Sequence, residues 1–383
     1  MAMTENHWIE ISEKALIHNY QLVKGRAGAN CGVLAVVKAN AYGLGMEACA
    51  KIFEAQGAAM LGVTSFEEAS ALRKAGLALP ILIFGPILAE QAPLAAVMDL
   101  TVTVTSPGAL DRILEGIAGA EASPLNSLPP LQVHLKIETG MGRFGLWPSE
   151  AVPAAQTIAA HPGLKLMGVY THFATASVSK GPYFQQQRIR FQEALQALSE
   201  AGFKDLVRHC ANSAALLACR DCCLDMVRIG TLLYGQKPAS DSGAMPALQD
   251  PWKFQAKVLE IRELPANHGV GYGATYVTKG PTRVAVLPAG YSEGVQMEPV
   301  QHPAGFTAGL KATLKLWLRC FKAESQACHV FFEGQAAPVI GKVGMQLTMV
   351  DVTHLPQVQV GSVARVPLRR TAADSGIPRI YTD

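Results

Sequence analysis

Ala35-Val36-Val37-Lys38-Ala39-Asn40-Ala41-Tyr42-Gly43-Leu44-Gly45 runs an apolar segment into a lysine and then into a small-residue turn. The run from Val33 to Val37 predicts a short buried strand that delivers Lys38 to its end. A lysine at the rim of a dry cleft sheds its proton readily and can form a Schiff base with a carbonyl. Gly43 and Gly45 allow a tight turn and a close approach of backbone to a ligand. The ordinary reading is a solvated lysine before a strand-to-helix turn, and the rest of the chain decides between the two.

The same grammar recurs along the chain. Strands are expected at Gly32–Lys38, Met60–Thr64, Ile81–Phe84, Leu100–Thr105, Leu131–Ile137, Leu166–Thr171, Leu206–Cys210 and Met226–Ile229. Helical spacing appears between them, as in Phe66–Ala75 and Tyr183–Ala201. Eight strands with crossover segments in about 230 residues suit an α/β fold, an N-terminal (β/α)8 TIM-type barrel whose functional residues sit at strand C-termini. An open doubly wound sheet is the alternative, but no G-x-G-x-x-G follows the first strand.

The pattern changes after Ala239. Residues 240–246 read as a linker. Alternating runs follow at Phe254–Ile261, Arg283–Pro288, His329–Phe332, Ala337–Val343 and Thr348–Val352, which predict a C-terminal, mostly-β domain. The expected division is therefore 1–242 for the barrel and 243–383 for the β domain. Leu310–Lys322 departs from this, with Lys311, Lys315, Arg319 and Lys322 at near-helical spacing, and reads as a surface amphipathic helix.

Composition narrows the function. Of 383 residues 49% are apolar and 16% charged, which suits a well-packed globular enzyme of two domains. A net charge of +3 argues against a nucleic-acid partner. No apolar window approaches about 18 residues and the N-terminal segment lacks an apolar h-region, so neither a membrane span nor a secretory signal is expected. Eight cysteines form no regular framework. Cys219-x-x-Cys222-Cys223 has no second pair to complete a zinc site, so reduced structural thiols in a cytoplasmic protein are expected, and no metal.

Several other strand ends carry polar residues. His134-Leu135-Lys136-Ile137-Glu138-Thr139-Gly140-Met141-Gly142-Arg143 puts Lys136 in a strand and Arg143 beyond a double-glycine turn. Tyr170-Thr171-His172-Phe173, His209-Cys210-Ala211-Asn212-Ser213 and Arg228-Ile229-Gly230-Thr231 end the last three strands. Taken singly these are a paired histidine, a salt-bridged arginine or a capping residue. Together with Lys38 they mark one end of a barrel, where loops after strands seven and eight recurrently hold phosphate. In the β domain, glycines bracket Tyr272 in Gly271-Tyr272-Gly273-Ala274-Thr275-Tyr276, and Tyr291 and Met345 also follow glycines. Turn tyrosines and a core methionine are their ordinary readings.

These blocks, with Asn212-Ser213-Ala214 and Thr348-Met349-Val350-Asp351-Val352-Thr353, resemble the alanine racemase family of fold-type III pyridoxal-phosphate enzymes. The resemblance runs from about Trp8 to Thr353, with an echo at Ile377-Pro378-Arg379-Ile380-Tyr381. It implies that Lys38 holds pyridoxal 5'-phosphate as a Schiff base, with Asn212 among the cofactor contacts. Tyr42, Ser213, Gly230 and Thr231 would hold the phosphate. Arg228 would face the pyridine nitrogen, supported by His172, and Arg143 would contact the cofactor's phenolic oxygen and the substrate carboxylate. Tyr291 and Met345 would border the substrate, and Lys136 matches a position often carbamylated. Lys38 and Tyr272 would be opposed bases in racemisation of L- and D-alanine or a related small amino acid. Tyr272 would come from the partner in a homodimer with shared active sites.

The chain also departs from the family pattern. Gln346 stands where the family has aspartate, the segment from Tyr291 to Gly341 is longer, and the late tyrosine has no counterpart. All three changes fall on the substrate or entrance side. A racemase of another or broader range, and a fold-type III decarboxylase, are the alternatives. A non-enzymatic binder would need no second base such as Tyr272.

Overall fold

The structure is a computed structural model that describes residues 4–121, 128–176, 181–238, 247–297, 305, 307, 309–311, 313, 314 and 328–383. It divides into two units, Glu13–Pro251 and Met1–Ser12 with Trp252–Asp383. The chain runs through β1 (His7–Ser12) and α1 (Glu13–Ala27) into the strands of the first unit. These are β2 (Gly32–Val36), β3 (Met60–Val63), β4 (Ile81–Ile83), β5 (Leu100–Val104), β6 (Leu131–Ile137), β7 (Leu164–Thr171), β8 (Val207–His209) and β9 (Met226–Ile229). Every pairing among them is parallel, in the order β8-β7-β6-β5-β4-β3-β2-β9.

The open seam between β8 and β9 is bridged by backbone bonds, Asp225 N–H to Arg208 C=O at 3.1 Å and Arg228 N–H to Ala211 C=O at 2.9 Å. On the outside the Arg208 guanidinium grips the Asp225 carboxylate through two bonds of 2.8 and 2.9 Å. The result is an eight-stranded parallel barrel. Between its strands run α2 (Lys38–Tyr42), α3 (Met46–Ala55), α4 (Phe66–Lys74), α5 (Gln91–Val97), α6 (Pro107–Glu121), α7 (Ala151–Ala160), α8 (Pro182–Glu200) and α9 (Ser213–Ala218).

Strands that face a filled barrel on one side and helices on the other are buried on both faces. The sequence meets this with β-branched runs, and all of β4 and β5 is buried. Thr103 is accommodated because its hydroxyl donates to the Ile83 carbonyl at 2.6 Å. Gly62 in β3 is small for a packing reason. A Cβ there would run into the Phe84 ring and the Leu34 side chain.

The second unit is a nine-stranded sheet ordered β11-β14-β17-β16-β15-β18-β10-β1-β19, beside a two-stranded ribbon. Its strands are β10 (Trp252–Lys257), β11 (Glu260–Leu264), the ribbon β12 (Gly269–Val270) and β13 (Tyr276–Val277), then β14 (Thr282–Leu287), β15 (His329–Phe332), β16 (Gln335–Ile340), β17 (Thr348–Asp351), β18 (Val363–Arg365) and β19 (Arg379–Thr382). No helix among the described residues is long and apolar enough to cross a membrane.

The expected barrel strands and their order are present, with ends shifted by up to two residues. The strand before Lys38 stops at Val36. The expected single strand Phe254–Ile261 is two, because Val258 N–H turns to Ser362 C=O while Leu259 N–H turns to Val286 C=O. The stretch assigned to the barrel from residue 1 begins with β1, which pairs instead with β10 and β19 of the sheet unit. Its apolar residues Trp8, Ile9 and Ile11 are buried there. Of the expected helix Leu310–Lys322, residues 310, 311, 313 and 314 are helical and the remainder lies outside the described residues, as do linker residues 240–246.

Gly62→Ala is expected to lower stability by about 1–3 kcal/mol through overpacking against Phe84 and Leu34. A denaturant midpoint equal to the parent's would show that the barrel interior has slack at this layer.

Candidate active site

The C-terminal ends of the barrel strands surround a cavity of about 440 Å³. Lys38, Tyr42, Arg143, His172, Asn212, Ser213, Arg228, Gly230 and Thr231 all line it, so the nine barrel residues singled out by sequence meet at one place. Lys136, Tyr170, Phe84 and Phe144 are also part of its wall. Tyr272, Tyr291 and Met345 belong to the sheet unit, where all three are exposed. There the turn between β16 and β17 gathers them. Met345 C=O accepts from the Ser292 amide and hydroxyl, while a Cβ on Gly271 would press on the Met349 methyl and touch the Lys342 backbone. Gly271 and Gly273 both take φ of 72°, which is why Tyr272 sits between glycines.

Lys38 is held by an unusual backbone. Ala39, Asn40 and Ala41 have φ of 52° and Tyr42 has φ of 56°, so α2 is a left-handed turn built from non-glycine residues. Each such residue costs roughly 1–2 kcal/mol. The conformation persists because its surroundings hold it. Glu68 accepts from Ala39 N–H at 2.7 Å, the Asn40 side chain accepts from Met46 N–H at 2.8 Å, and Gly45 N–H returns to Asn40 C=O at 2.9 Å. Glu68 is itself fixed by the α4 capping box with Ser65.

The cavity is rich in positive charge and poor in negative charge. Lys38, Lys136, Arg143 and Arg228 converge on it, and among the described residues no carboxylate pairs with any of them. Glu138 is nearby, but its oxygens accept from Met141 N–H at 2.6 Å and Gly142 N–H at 3.0 Å and are consumed by that turn. Burial, then Arg143, pulls the Lys38 pKa below its usual value. Lys136 is pulled down to about 8, first by burial and then by Arg143 and Arg228. Four cations without counter-ions are an incomplete electrostatic arrangement that an anionic ligand would complete.

Arg228 on β9 is buried, and its guanidinium donates to carbonyls at the ends of two neighbouring strands, to His209 C=O at 2.9 Å and Thr171 C=O at 2.6 Å. It also stands 4.8 Å over the Tyr170 ring and 3.5 Å from His172 Nδ1. Its Nη1 lies 3.2 Å from His209 Nδ1, and His209 Nε2 lies 2.9 Å from His134 Nδ1. Because arginine only donates, this chain assigns the tautomers: both histidines carry their proton on Nε2. Burial, then the charge of Arg228, holds His209 and His172 well below the usual histidine range and His134 at about 3. All three are neutral, and the only charge in this network is the guanidinium.

On the other side of the cavity the Tyr42 ring packs 4.8 Å from Tyr234, and burial raises its pKa. A Cβ on Gly230 would collide with the Tyr42 hydroxyl, so Gly230 makes room for that hydroxyl, which lines the cavity together with Ser213 and Thr231.

His134, His209 and Tyr170 stood in the quoted motifs without a role. The signal for His134 is its spacing from Lys136, since residues two apart on a strand share a face. Room for its ring is made by Gly168 on β7, where a Cβ would strike it.

The chain thus combines a parallel barrel, whose strand ends enclose a lysine-containing, cation-rich cavity, with a separate β-sheet unit. The alanine racemase N-terminal domain model matches residues 11–238 and the C-terminal domain model residues 252–372. An alanine racemase of Desulfovibrio desulfuricans is 35% identical over 92% of this chain and 87% of its own length. The solved alanine racemase of Clostridium difficile 630 superposes with a TM-score of 0.85 at 26% identity, covering 99% of this chain and 96% of that one. Its complex with cycloserine gives a TM-score of 0.80 at 26% identity, over 98% and 89%. The chain belongs to the alanine racemase family.

In carbon-dioxide-free buffer at pH 7, Lys136→Met should be more stable than the parent, because an unpaired buried ammonium with this pKa costs on the order of 3 kcal/mol. Between the folded value of about 8 and the ordinary 10.5 the unfolded chain binds more protons. Parent stability therefore rises with pH across that window, and the variant's advantage shrinks toward pH 10. A variant that unfolds at or below the parent's denaturant midpoint at pH 7 would show that Lys136 is not an unpaired cation.

Proposed function

We propose that the protein racemises alanine or a related small amino acid, with pyridoxal 5'-phosphate bound in the barrel cavity. The observation that carries this reading is the set of four uncompensated cations in one cavity, among them Lys38 with its pKa lowered. The donor set suits the cofactor. Tyr42, Ser213 and Thr231 bring three hydroxyls to the cavity beside Gly230, whose missing side chain admits the Tyr42 hydroxyl, and that set suits a phosphate. Arg143 and the neighbouring lysines suit a phenolate and a substrate carboxylate. Lys38 would carry the cofactor and Asn212 would shape the phosphate-side wall. When bound, the cofactor draws electrons from the substrate's Cα and makes its proton acidic.

The protein's own groups do the rest. Lys38 Nζ, whose pKa is lowered by burial and by Arg143, takes or returns the Cα proton on one face. Tyr272 Oη serves the other face. Arg228 stays protonated, oriented by His209 and with His172 at its flank, and would disfavour a second positive charge on a cofactor ring nitrogen held beside it. That tempers the electron demand and favours returning the proton over losing a carboxylate. A decarboxylase of this architecture would call for a carboxylate in place of Arg228.

Tyr272, Tyr291, Met345 and Leu347 form an exposed, largely apolar cluster in the sheet unit. This supports a homodimer in which Tyr272 of a second copy completes each site. The free thiols among the described residues support a cytoplasmic, reducing compartment. Lys136 supports a further element: its neutral amine adds to carbon dioxide with loss of a proton and becomes an anion beside Arg143. Bicarbonate, on that account, erases the stability advantage of Lys136→Met.

Deuterium uptake at Cα from heavy water, measured across L- and D-amino acids with the cofactor-loaded enzyme, should be greatest for alanine. Release of carbon dioxide without Cα exchange would move the assignment to decarboxylation. Gln346, exposed where the family has aspartate, makes the width of the accepted range the informative part of the panel. Tyr272→Phe should retain the cofactor's absorbance band yet lose about 10²–10⁴-fold in racemisation rate. Full activity in that variant would remove Tyr272 from the proton path.

A further inference from the structure

Cys219-x-x-Cys222-Cys223 takes no part in the cavity. Cys219 ends α9, and one 3-10 turn, Arg220–Cys222, follows. The turn is closed by Cys222 N–H to Cys219 C=O at 3.1 Å, and it brings the Cys222 thiol to 2.7 Å from Cys219 Sγ. Cys210, next to the end of β8, approaches from behind and donates its thiol to Cys222 C=O at 3.3 Å. Among the described residues no group of three or more potential ligands is arranged to hold a metal ion.

What remains is a pair of thiols in mutual contact within a tight turn. Cys219 is partly exposed and Cys222 is buried. We propose that Cys219 and Cys222 form a reversible dithiol–disulfide modification site whose oxidant is a small hydroperoxide. In the first step Cys219 sulfur attacks the peroxide, an S–O bond forms, the O–O bond breaks, and the alcohol or water leaves with a proton. Cys219 is then a sulfenic acid. In the second step Cys222 sulfur attacks that sulfur, the S–S bond forms, the S–O bond breaks and water leaves. Two thiols and one hydroperoxide thus give one disulfide, water and the reduced peroxide, and a dithiol reductant reverses the change.

The partnership of Cys219 with Cys222, rather than with Cys210, follows from access and connectivity. Cys219 is the member a solvent-borne oxidant meets, while Cys210 and Cys222 are both buried. A four-residue turn already holds the first pair together. Burial and the adjoining thiol push Cys219 up to about 11, against a smaller opposing pull from Arg188 on α8, and Cys222 is raised as well. The reduced pair accordingly reacts slowly at neutral pH, but it gains no stabilisation as a thiolate, so the disulfide once formed resists reduction. The turn continues from the helix whose first residue, Ser213, lines the cavity.

The test is intact-mass and peptide analysis of the full-length, cofactor-loaded enzyme after hydrogen peroxide treatment and alkylation. The expected result is loss of about two titratable thiols and a mass lower by about 2 Da, both restored by dithiothreitol. Trypsin cuts after Arg220, between the two cysteines, so the product should appear as peptide 209–220 joined to peptide 221–228, with fragment ions placing the bond at Cys219 and Cys222 and leaving Cys210 and Cys223 alkylated. Cys219→Ser and Cys222→Ser should each abolish that species. A Cys210–Cys222 link, oxygen adducts on Cys219 without a crosslink, or thiol loss unchanged by both substitutions would overturn the assignment. None of these readouts depends on racemisation, so the two proposals fail separately.

Discussion

The Arg228 guanidinium, buried without a carboxylate, is the constraint around which the barrel unit is organised. A buried cation is tolerated only if every donor is used. Arg228 answers with its two terminal nitrogens, which reach the carbonyls of Thr171 and His209 beyond the strand on which it sits. The same bonds therefore tie the ends of β7, β8 and β9 together where β8 and β9 lack regular ladder pairing. One side chain closes the barrel at its working end and sets the electrostatic character of the cavity. Its neighbours follow from it, since His209 and His134 must be neutral and fixed in tautomer for the guanidinium to keep its place.

The left-handed turn after β2 plays the complementary part on the opposite wall. Four residues with positive φ store conformational energy that a smoother loop would not. The turn places Lys38 and Tyr42 on the same cavity while only three residues separate them. Glu68 pays for this arrangement by accepting from Ala39 and capping α4 at once. Lys38 is thus positioned by backbone geometry more than by side-chain contacts.

Much of this was legible in the sequence, for identifiable reasons. Apolar runs of the right length, each followed by a crossover, announce buried parallel strands, and the polar residue at each strand end announces the cavity. Short-range patterns could not show where β1 pairs, because Trp8-Ile9-Glu10-Ile11 suits an edge in either unit and its partners lie far along the chain. Nor could they show the left-handed turn, since Ala39-Asn40-Ala41 carries no glycine to signal positive φ. His134 and His209 escaped a role because a histidine's function depends on its spatial neighbour, here an arginine on another strand. Gly62, Gly168 and Gly230 read as strand or turn glycines, and only packing shows that each clears space for a specific ring or hydroxyl.

The pairing of β1 has a consequence in time as well as in space. Roughly 240 residues separate Ser12 from Trp252, where its partner β10 begins. At translation rates of about 5–20 residues per second, an apolar strand with both edges open waits on the order of tens of seconds for that partner. The barrel segment is synthesised meanwhile and holds its own core. The barrel is in effect an insertion within the sheet unit, and the second unit to complete its fold is the one whose first strand left the ribosome earliest.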